Sequence, residues 1–456
     1  MGLLDRTAEL AREYLEGAGE RHVGATTTYE DAFAALDSPL PEAGEEPEAV
    51  IEDLAATLGP ATVANAGPRY FGFVVGGSLP AALASDWLVS AWDQTAFSRV
   101  SSPAGSAVDA VAERWVLEAL DLPRDAAVGF VTGATAGNFV GILAARNRML
   151  ARAGWDVEAD GLAGSPPLRV LVGEEVHPSL LLALRMAGLG ADRAVRVPAD
   201  DQGAMRADAL AAELASAEGP TIVCAQAGNV NTGALDPVGE FAAAAGEHGD
   251  AWVHVDGAFG LWANAAPSLR GLVDGIEGAD SWSADAHKWL NVPYDTAMAI
   301  VADPAAAAAA LGTRASYLPT AGGREPGDLV PEMSRRARAV PVYAALRSLG
   351  RRGLAELVER CCSHARRLAG AMEGLEGAAV LNEVVLNQAL VRFDDDDATT
   401  DAVVAEVQRE GEAWVGGTVW RKRAAARVSV SNWSTTEGDI DRLAAAFERA
   451  LAKVRA

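Results

Sequence analysis

The sequence predicts an α/β fold, in which helices flank a mostly parallel sheet on both faces. Short apolar runs recur through the middle of the chain, and helical stretches separate most of them. Strands that alternate with helices in this way are typical of a parallel sheet covered by helices. The predicted strands are VGFVT at 128–132, LRVLV at 168–172, TIVCAQ at 221–226, WVHVD at 252–256, SWSAD at 281–285 and TAMAIV at 296–301. Predicted helices between them include 137–152, 178–187 and 205–216.

The regions before and after this pattern are predicted to fold differently. Residues 1 to about 60 have a helical pattern with acidic breaks rich in Pro and Gly, and the aromatic segment at 66–80 is predicted to be a loop that approaches a neighbour closely. After about residue 335, a long helical stretch precedes short strands and further helices, which predicts a smaller α+β domain. The predicted division is a helical N-terminal segment at 1–65, a large domain at 66–335 and a small C-terminal α+β domain at 336–456.

Composition excludes several classes of function. The 456 residues carry a net charge of −25, which argues against nucleic-acid binding and against an anionic membrane surface as a partner. The chain has no apolar run of about 18 residues and no signal-peptide pattern at its start, so we expect a cytoplasmic protein. Cys224, Cys361 and Cys362 cannot form a disulfide framework. Cys361, Cys362 and His364 lack a second ligand pair at zinc spacing, so no metal site is predicted.

Lysine is rare in this chain, which makes its position informative. The 38 basic residues include only three lysines, Lys288, Lys422 and Lys453. Lys288 lies in the segment SADAHKWL, where its neighbours could lower its pKa and leave a nucleophilic amine that Arg cannot imitate. A surface salt bridge to Asp285 explains this lysine equally well.

Three further segments could complete a site with Lys288, because ligands bind at the carboxyl ends of strands in open α/β sheets. The strand WVHVD ends on Asp256, and a buried acid needs a cationic or hydrogen-bonding partner. In GATAGN, which follows a strand, small residues and Thr135 could hold an anion at a helix N-terminus, although close packing also explains them. His177 precedes a helix, where it could cap, pack or stack on a flat ligand. Together these are the groups that an enzyme using pyridoxal phosphate needs.

These motifs resemble those of the group II pyridoxal-phosphate-dependent decarboxylases, the family of aromatic amino acid and glutamate decarboxylases. The similarity runs from about residue 66 to 347, with weaker matches near 411–440. The matching motifs are SSPAGSAVDAVAERWVLEAL, GATAGN, the His of VHPSL, HVDGAFG and SADAHKWL. The resemblance implies the fold type I architecture, pyridoxal phosphate as cofactor, decarboxylation of an L-amino acid, and a homodimer with shared active sites. Aromatic residues between 70 and 97 favour an aromatic or apolar substrate.

The resemblance also implies roles for individual residues. As catalytic residues, Lys288 would hold the cofactor covalently, Asp256 would pair with the pyridine nitrogen and His177 would stack on the ring. Ala258 would underlie the other face of the ring, and Ala134, Thr135 and His287 would hold the phosphate. Asn138 and Asn229 complete the predicted cofactor-binding set, and the predicted substrate-pocket residues are Tyr70, Phe71, Phe97 and Tyr294. Phe97 would line the partner subunit's pocket, whereas Arg427 resembles a family arginine near the phosphate or the dimer interface and could equally form a surface salt bridge.

Three features depart from the family pattern. Asn229 stands where many members have Thr, and Asp285 replaces an Asn that often precedes the lysine. A carboxylate there would repel the cofactor phosphate unless it is turned away or paired. The segment at 316–339, which corresponds to the family's mobile loop, begins with Tyr317 and has paired glycines, but it lacks the late Tyr that protonates the product carbon. His177 or Tyr294 could supply that proton instead.

Other functions on the same fold stay open. An aminotransferase would need an Arg for the substrate carboxylate, and Arg99 and Arg324 are candidates. A decarboxylating aldehyde synthase would differ mainly at the mobile loop. A binding module without catalysis is disfavoured, because Lys288, Asp256 and His177 are all present.

Overall fold

Helices and strands alternate through the middle of the chain, as the hydrophobic pattern predicts. The structure is a computed structural model that describes residues 2–313 and 324–456. Its helices are α1 (Leu3–Gly17), α2 (Tyr29–Leu36), α3 (Pro47–Leu58), α4 (Pro80–Trp92), α5 (Pro103–Ala119), α6 (Ala134–Arg152), α7 (Val157–Asp160), α8 (Pro178–Met186), α9 (Ala207–Ala215), α10 (Val238–His248), α11 (Pro304–Leu311), α12 (Ala339–Glu373), α13 (Asp397–Glu410) and α14 (Glu437–Arg455). Its strands are β1 (Ala127–Val131), β2 (Arg169–Gly173), β3 (Val195–Val197), β4 (Thr221–Gln226), β5 (Ala251–Asp256), β6 (Ser281–Asp285), β7 (Ala297–Val301), β8 (Ala378–Val380), β9 (Gln388–Phe393), β10 (Gly416–Trp420) and β11 (Arg423–Ser429).

The larger sheet is mostly parallel, so the predicted fold class is confirmed. Its strand order is β1-β7-β6-β5-β4-β2-β3, and the pairs from β6 through β5, β4 and β2 to β3 are parallel. Strand β7 runs antiparallel to both of its neighbours, β1 and β6. The connection from β6 to β7, residues 286–296, is too short to hold the crossover helix that a parallel pair needs. Strand β3 was not predicted, because its three residues are too few to show a pattern.

Helix α6 packs on the sheet at close range because small residues line its inner face. A Cβ atom on Gly137 would lie 2.9 Å from the Ser283 Cβ, and one on Gly141 would lie 2.5 Å from the His254 ring. Both contacts are tighter than packed side chains tolerate without displacement. The first turn of α6 therefore lies beside the carboxyl ends of β5 and β6, where the predicted site residues are.

The described residues divide into two compact units. One contains Met1–Gly77, His364–Leu381 and Ala389–Ala456, and the other contains Ser78–Ser363 and Asn382–Gln388. The first holds the helical N-terminal segment and a four-stranded sheet of order β10-β11-β9-β8, and the second holds the larger sheet. The predicted boundaries at residues 65 and 335 differ from the limits of these units and stay a prediction. Within residues 2–313 and 324–456, every helix is too short or too polar to cross a bilayer.

Candidate active site

A cavity of about 190 Å³ opens where β4, β5 and β6 end and α6 begins. Parallel strands present their carboxyl ends at one edge of the sheet, which explains why residues distant in sequence meet here. Of the predicted site residues, those on the cavity wall are Ala134, Thr135, His177, Asp256, Ala258, His287 and Lys288. Residues on the wall that were not predicted to bind are Gly133, Ser179, Gln226, Gly228, Val230, Phe259 and Asp285.

Lys288 and Asp285 form an ion pair inside this cavity. The Lys288 Nζ lies 2.9 Å from Oδ2 of Asp285, whose side chain is almost completely buried. The other oxygen of Asp285 accepts a hydrogen bond of 2.7 Å from the Ala134 N–H at the start of α6. The salt bridge suggested by the sequence therefore exists, but it lies on the cavity wall and not on the outer surface. Asp285 is paired and not turned away.

His287 is enclosed between Asp285 and Tyr294. Its Nε2 lies 3.5 Å from Asp285 Oδ1, and its ring stacks on the Tyr294 ring with centroids 4.3 Å apart. Burial lowers the pKa of His287, and the nearby Asp285 carboxylate opposes that effect. The Tyr294 side chain is 55% exposed, so it supports His287 from the outer side.

Asp256 ends β5 and is buried with two hydrogen-bond donors. Its Oδ2 accepts a bond of 2.9 Å from the Asn138 side-chain amide, and its Oδ1 accepts one of 3.2 Å from the Ala258 N–H. Asn138 lies on α6 one turn after Ala134 and is fully buried. The structure thus places Asn138 behind Asp256, as its hydrogen-bonding partner, and not on the cavity wall.

His177 both caps a helix and faces the cavity. It immediately precedes α8, and its Nδ1 accepts the Ser179 backbone N–H at 3.2 Å and lies 2.7 Å from the Ser179 hydroxyl oxygen. Because Nδ1 is an acceptor, the neutral ring carries its proton on Nε2. The sequence left capping, packing and stacking open, and the geometry shows capping by a residue that also lies on the cavity wall.

Two polar residues lie at or just after the end of β4, and only Asn229 was predicted to bind the cofactor, which stays a prediction. Asn229 is buried, and its Oδ1 accepts the backbone N–H groups of Asn231 and Thr232, so its side chain closes its own turn. Gln226 lies on the cavity wall, and its buried Oε1 has no hydrogen-bond partner among the described residues. Gln226 pairs in register with Asp256. Because ligands bind at the carboxyl ends of parallel strands, the position of Gln226 at the end of β4 could have identified it as a site residue.

The predicted substrate-pocket residues fall in both units. Tyr70 stacks on Trp414 with centroids 5.0 Å apart, Phe71 is fully buried, and both belong to the unit that contains the N-terminus. A Cβ on Gly72 would overlap the Trp414 ring, which is the close approach predicted for this loop. Phe97 and Tyr294 belong to the other unit, together with the cavity.

Arg427 lies beside Tyr70 and is half-buried. Burial lowers the pKa of Arg427, and its Nε has no hydrogen-bond partner among the described residues. Burial raises the pKa of Tyr70 to about 12. Tyr317 and the paired glycines at 322 and 323 lie outside the described residues.

A lysine amine, a buried carboxylate, an imidazole and a helix N-terminus around one cavity define the site of an enzyme that uses pyridoxal phosphate. The comparison with known families supports this class directly, because residues 30–393 match the pyridoxal-dependent decarboxylase conserved domain. The match covers most of the chain, which therefore belongs to the pyridoxal-dependent decarboxylase family. The predicted family, cofactor and amino acid decarboxylation are confirmed.

Individual relatives agree with the family match. A tyrosine decarboxylase from Oryza sativa subsp. japonica is 30% identical over 413 residues, which make up 85% of this chain and 75% of that protein. The crystal structure of Oryza sativa TDC with PLP and tryptamine has a TM-score of 0.92 at 23% identity. The alignment covers 99% of this chain and 97% of the TDC chain. The crystal structure of Rhodiola rosea 4-hydroxyphenylacetaldehyde synthase has a TM-score of 0.87 at 21% identity. The alignment covers 98% of this chain and 97% of the synthase chain. The two structures share the fold type I architecture with this chain.

The cavity suits the cofactor that the family uses. Asp256 keeps lone pairs available after accepting two hydrogen bonds, since an ionised carboxylate has about four acceptor sites. Gln226 Oε1, which has no partner in the described part of the chain, leaves a further polar group for a ligand. The N-terminus of α6 attracts anions, although Asp285 already occupies its first N–H group.

We expect Asp285→Asn to strengthen anion binding at the start of α6. The substitution removes a negative charge next to the Ala134 N–H and leaves the Lys288 ammonium without its counter-ion. The cofactor-free variant should bind inorganic phosphate about tenfold more tightly, a change of roughly 1.4 kcal/mol. Isothermal titration calorimetry measures this affinity.

Asp280→Asn provides the matched control, because Asp280 precedes β6 at the opposite end of the same strand. It changes the net charge equally and should leave phosphate binding unaltered. Equal or weaker binding of phosphate by the Asp285 variant would show that this carboxylate does not oppose anions at the site.

Proposed function

We propose that this protein decarboxylates an aromatic L-amino acid with pyridoxal phosphate bound in the cavity at the carboxyl end of β5 and β6. The observation that carries the proposal is the convergence of Lys288, Asp256 and His177 on one cavity wall. The Tyr and Trp decarboxylases among the relatives support an aromatic substrate, as do the apolar side chains of Val230 and Phe259 on the same wall.

Each of these residues has a distinct proposed role. Lys288 supplies the amine that holds the cofactor, and Asp256 keeps a proton on the pyridine nitrogen through its negative charge. When bound, pyridoxal phosphate would supply an electron sink for the negative charge that develops at Cα. His177 and Ala258 would enclose the ring, and Thr135 and His287 with the first turn of α6 would hold the phosphate, since all of these residues line the cavity. Enclosing the reacting groups excludes water and strengthens their electrostatic interactions.

We assign the proton that returns to Cα to His177. Its Nδ1 is used as an acceptor, so its Nε2–H is the proton it can donate, and its ring lies on the cavity wall. Tyr294, the other candidate, stacks on the outer side of His287 and is more than half exposed. This geometry favours the histidine.

Aldehyde formation is the second candidate function. Residues 324–339, REPGDLVPEMSRRARA, contain no tyrosine, although the family's decarboxylases carry a proton-donating Tyr late in this segment. An aminotransferase is less well supported, because Arg324 is held by Asp109 at 3.6 Å and by Glu113. Its guanidinium also donates to the Val128 carbonyl at 2.7 Å, so this candidate for the substrate carboxylate is already engaged.

We also propose that the protein is a cytoplasmic homodimer with shared active sites. In the described part of the chain, none of the residues of α1, α2 and α3 is buried, although these helices carry large apolar side chains. Leu4 is 81% exposed and Phe33 is 53% exposed. Apolar surface of this kind is stabilised when a second copy covers it.

The dimer proposal predicts that the combined substitution Leu4→Glu and Phe33→Glu dissociates the protein. Sedimentation equilibrium should give twice the mass of one chain for the unaltered protein and a single-chain mass for the variant. Val419→Glu is the control, because Val419 is equally apolar and 68% exposed but lies on β10. A monomeric parent protein would contradict the proposal.

Replacing Lys288 by Ala should abolish turnover and the absorbance of covalently bound cofactor, because no other described side chain on the cavity wall is an amine. Spectrophotometry and CO₂ release measure the two effects. Lys453→Ala is the control, since Lys453 pairs with Glu406 on the protein surface and should leave both readouts unchanged. Turnover at the normal rate without Lys288 would disprove its role.

A panel of L-amino acids tests the substrate and the product. We expect CO₂ and the corresponding amine from tyrosine, tryptophan or phenylalanine, and far slower release from glutamate or 2,4-diaminobutyrate. Mass spectrometry identifies the product. An aldehyde with consumption of O₂ would favour the second candidate function, whereas a keto acid without CO₂ would contradict decarboxylation.

A further inference from the structure

A chain of buried hydrogen bonds leads from Asp256 away from the cavity. Asn138 donates to Asp256 Oδ2 at 2.9 Å, and Asn138 Oδ1 lies 2.9 Å from His254 Nε2. His254 Nδ1 lies 2.8 Å from the Ser281 hydroxyl oxygen, which accepts the Trp252 indole N–H at 2.9 Å. All of these side chains are buried, so water does not compete for these bonds.

The two ends of this chain together give the direction of its bonds. An indole N–H only donates, so the Ser281 oxygen accepts there and can give its own proton to His254 Nδ1. The neutral imidazole then carries its proton on Nε2 and donates it to Asn138 Oδ1. With its oxygen engaged, the Asn138 amide presents its N–H₂ group to Asp256.

The inner end leads to the same assignment. The carboxylate of Asp256 accepts hydrogen bonds and cannot face the amide oxygen of Asn138 without repulsion. The Ser283 hydroxyl also donates to Asn138 Oδ1, at 2.6 Å, and fixes the same orientation of the amide. One arrangement of protons therefore satisfies all the members of the chain.

His254 stays neutral in this environment. Its side chain is completely buried, and burial lowers its pKa to about 3. Its ring packs against α6 at Gly141, where a Cβ atom would lie 2.5 Å away, so the ring has little room to rotate. A neutral, immobile imidazole orients its neighbour without adding charge.

We propose that His254 and Asn138 are positioning residues that hold the Asp256 carboxylate aimed at the pyridine nitrogen of the cofactor. The inference rests on the role proposed above for Asp256. It also gives a reason for the small residues after β1, because Gly137 and Gly141 let α6 approach closely enough for Asn138 to reach Asp256. Neither residue needs to touch the cofactor.

The test uses ligands that report on the ring nitrogen without the covalent bond to Lys288. Pyridoxamine phosphate has an amine in place of the aldehyde, so its affinity for the cofactor-free protein depends on non-covalent contacts. An analogue with carbon in place of the ring nitrogen lacks the atom that Asp256 would contact. Comparing the two affinities isolates the Asp256 interaction.

Asn138→Leu and His254→Leu should each weaken pyridoxamine phosphate binding about tenfold or more, the effect of losing one hydrogen bond to a charged group. Binding of the carbon analogue should change by less than about twofold, since it never used that bond. His254→Gln, whose amide can donate and accept, should recover most of the affinity. In the loaded enzyme the Leu variants should lower kcat and leave KM nearly unchanged.

Two controls make the result decisive. Asn147→Leu removes another buried amide of α6, one that donates to Glu158, and should affect neither ligand. If His254→Leu fails to fold, Ser281→Ala keeps the ring volume and should weaken pyridoxamine phosphate selectively, because His254 Nδ1 loses the hydroxyl that supports the ring from its outer side.

The proposal is wrong if the variants weaken both ligands equally or if Asn147→Leu has the same effect. Asp256→Asn distinguishes this failure from failure of the proposed function. If Asp256→Asn does not discriminate between the two ligands, the assigned role of Asp256 is overturned and this proposal with it. If Asp256→Asn discriminates and the His254 and Asn138 variants do not, only the positioning proposal is overturned.

Discussion

The burial of one carboxylate governs the arrangement of this active site. Asp256 is 5% exposed at the end of an apolar strand, and an acid there is costly unless donors replace water. Two donors do so, the Ala258 N–H from the adjacent turn and the Asn138 amide from α6. The second donor requires α6 to lie against the sheet, which the absence of side chains at Gly137 and Gly141 permits. The helix N-terminus consequently lies beside the same cavity.

The short connection between β6 and β7 has a comparable influence on the reactive lysine. Because residues 286–296 cannot form a crossover, the chain turns back at once, and β7 pairs antiparallel with β6. This tight turn carries His287 and Lys288, and it holds the Lys288 amine 2.9 Å from Asp285 at the strand end. The turn thus holds a flexible lysine side chain against the cavity wall through an ion pair.

The carboxylate of Asp285 has two effects on this site. It occupies the first N–H of α6 and neutralises Lys288, so the cofactor-free cavity is less attractive to anions than its helix N-terminus alone would be. The same carboxylate also lies close to His287, whose Nε2 is 3.5 Å away. The charge balance of the site is therefore set by three neighbouring side chains.

The sequence by itself determined the α/β class and the convergence of Asp256, Lys288 and His177, because strand ends in a parallel sheet meet at one edge. It did not reveal β3 or the position of Gln226 on the cavity wall. It also did not reveal that Asn138 bonds to Asp256 from behind, or that the Asn229 side chain accepts bonds from its own turn. Asn138 lies one turn, roughly 6 Å, beyond Ala134 on α6, so only the packing of that helix on the sheet decides what its amide meets. The periodicity of the sequence predicts which residues belong to the same helix or strand. The partners of a side chain depend on how helices and strands pack together, and only the tertiary structure decided those contacts.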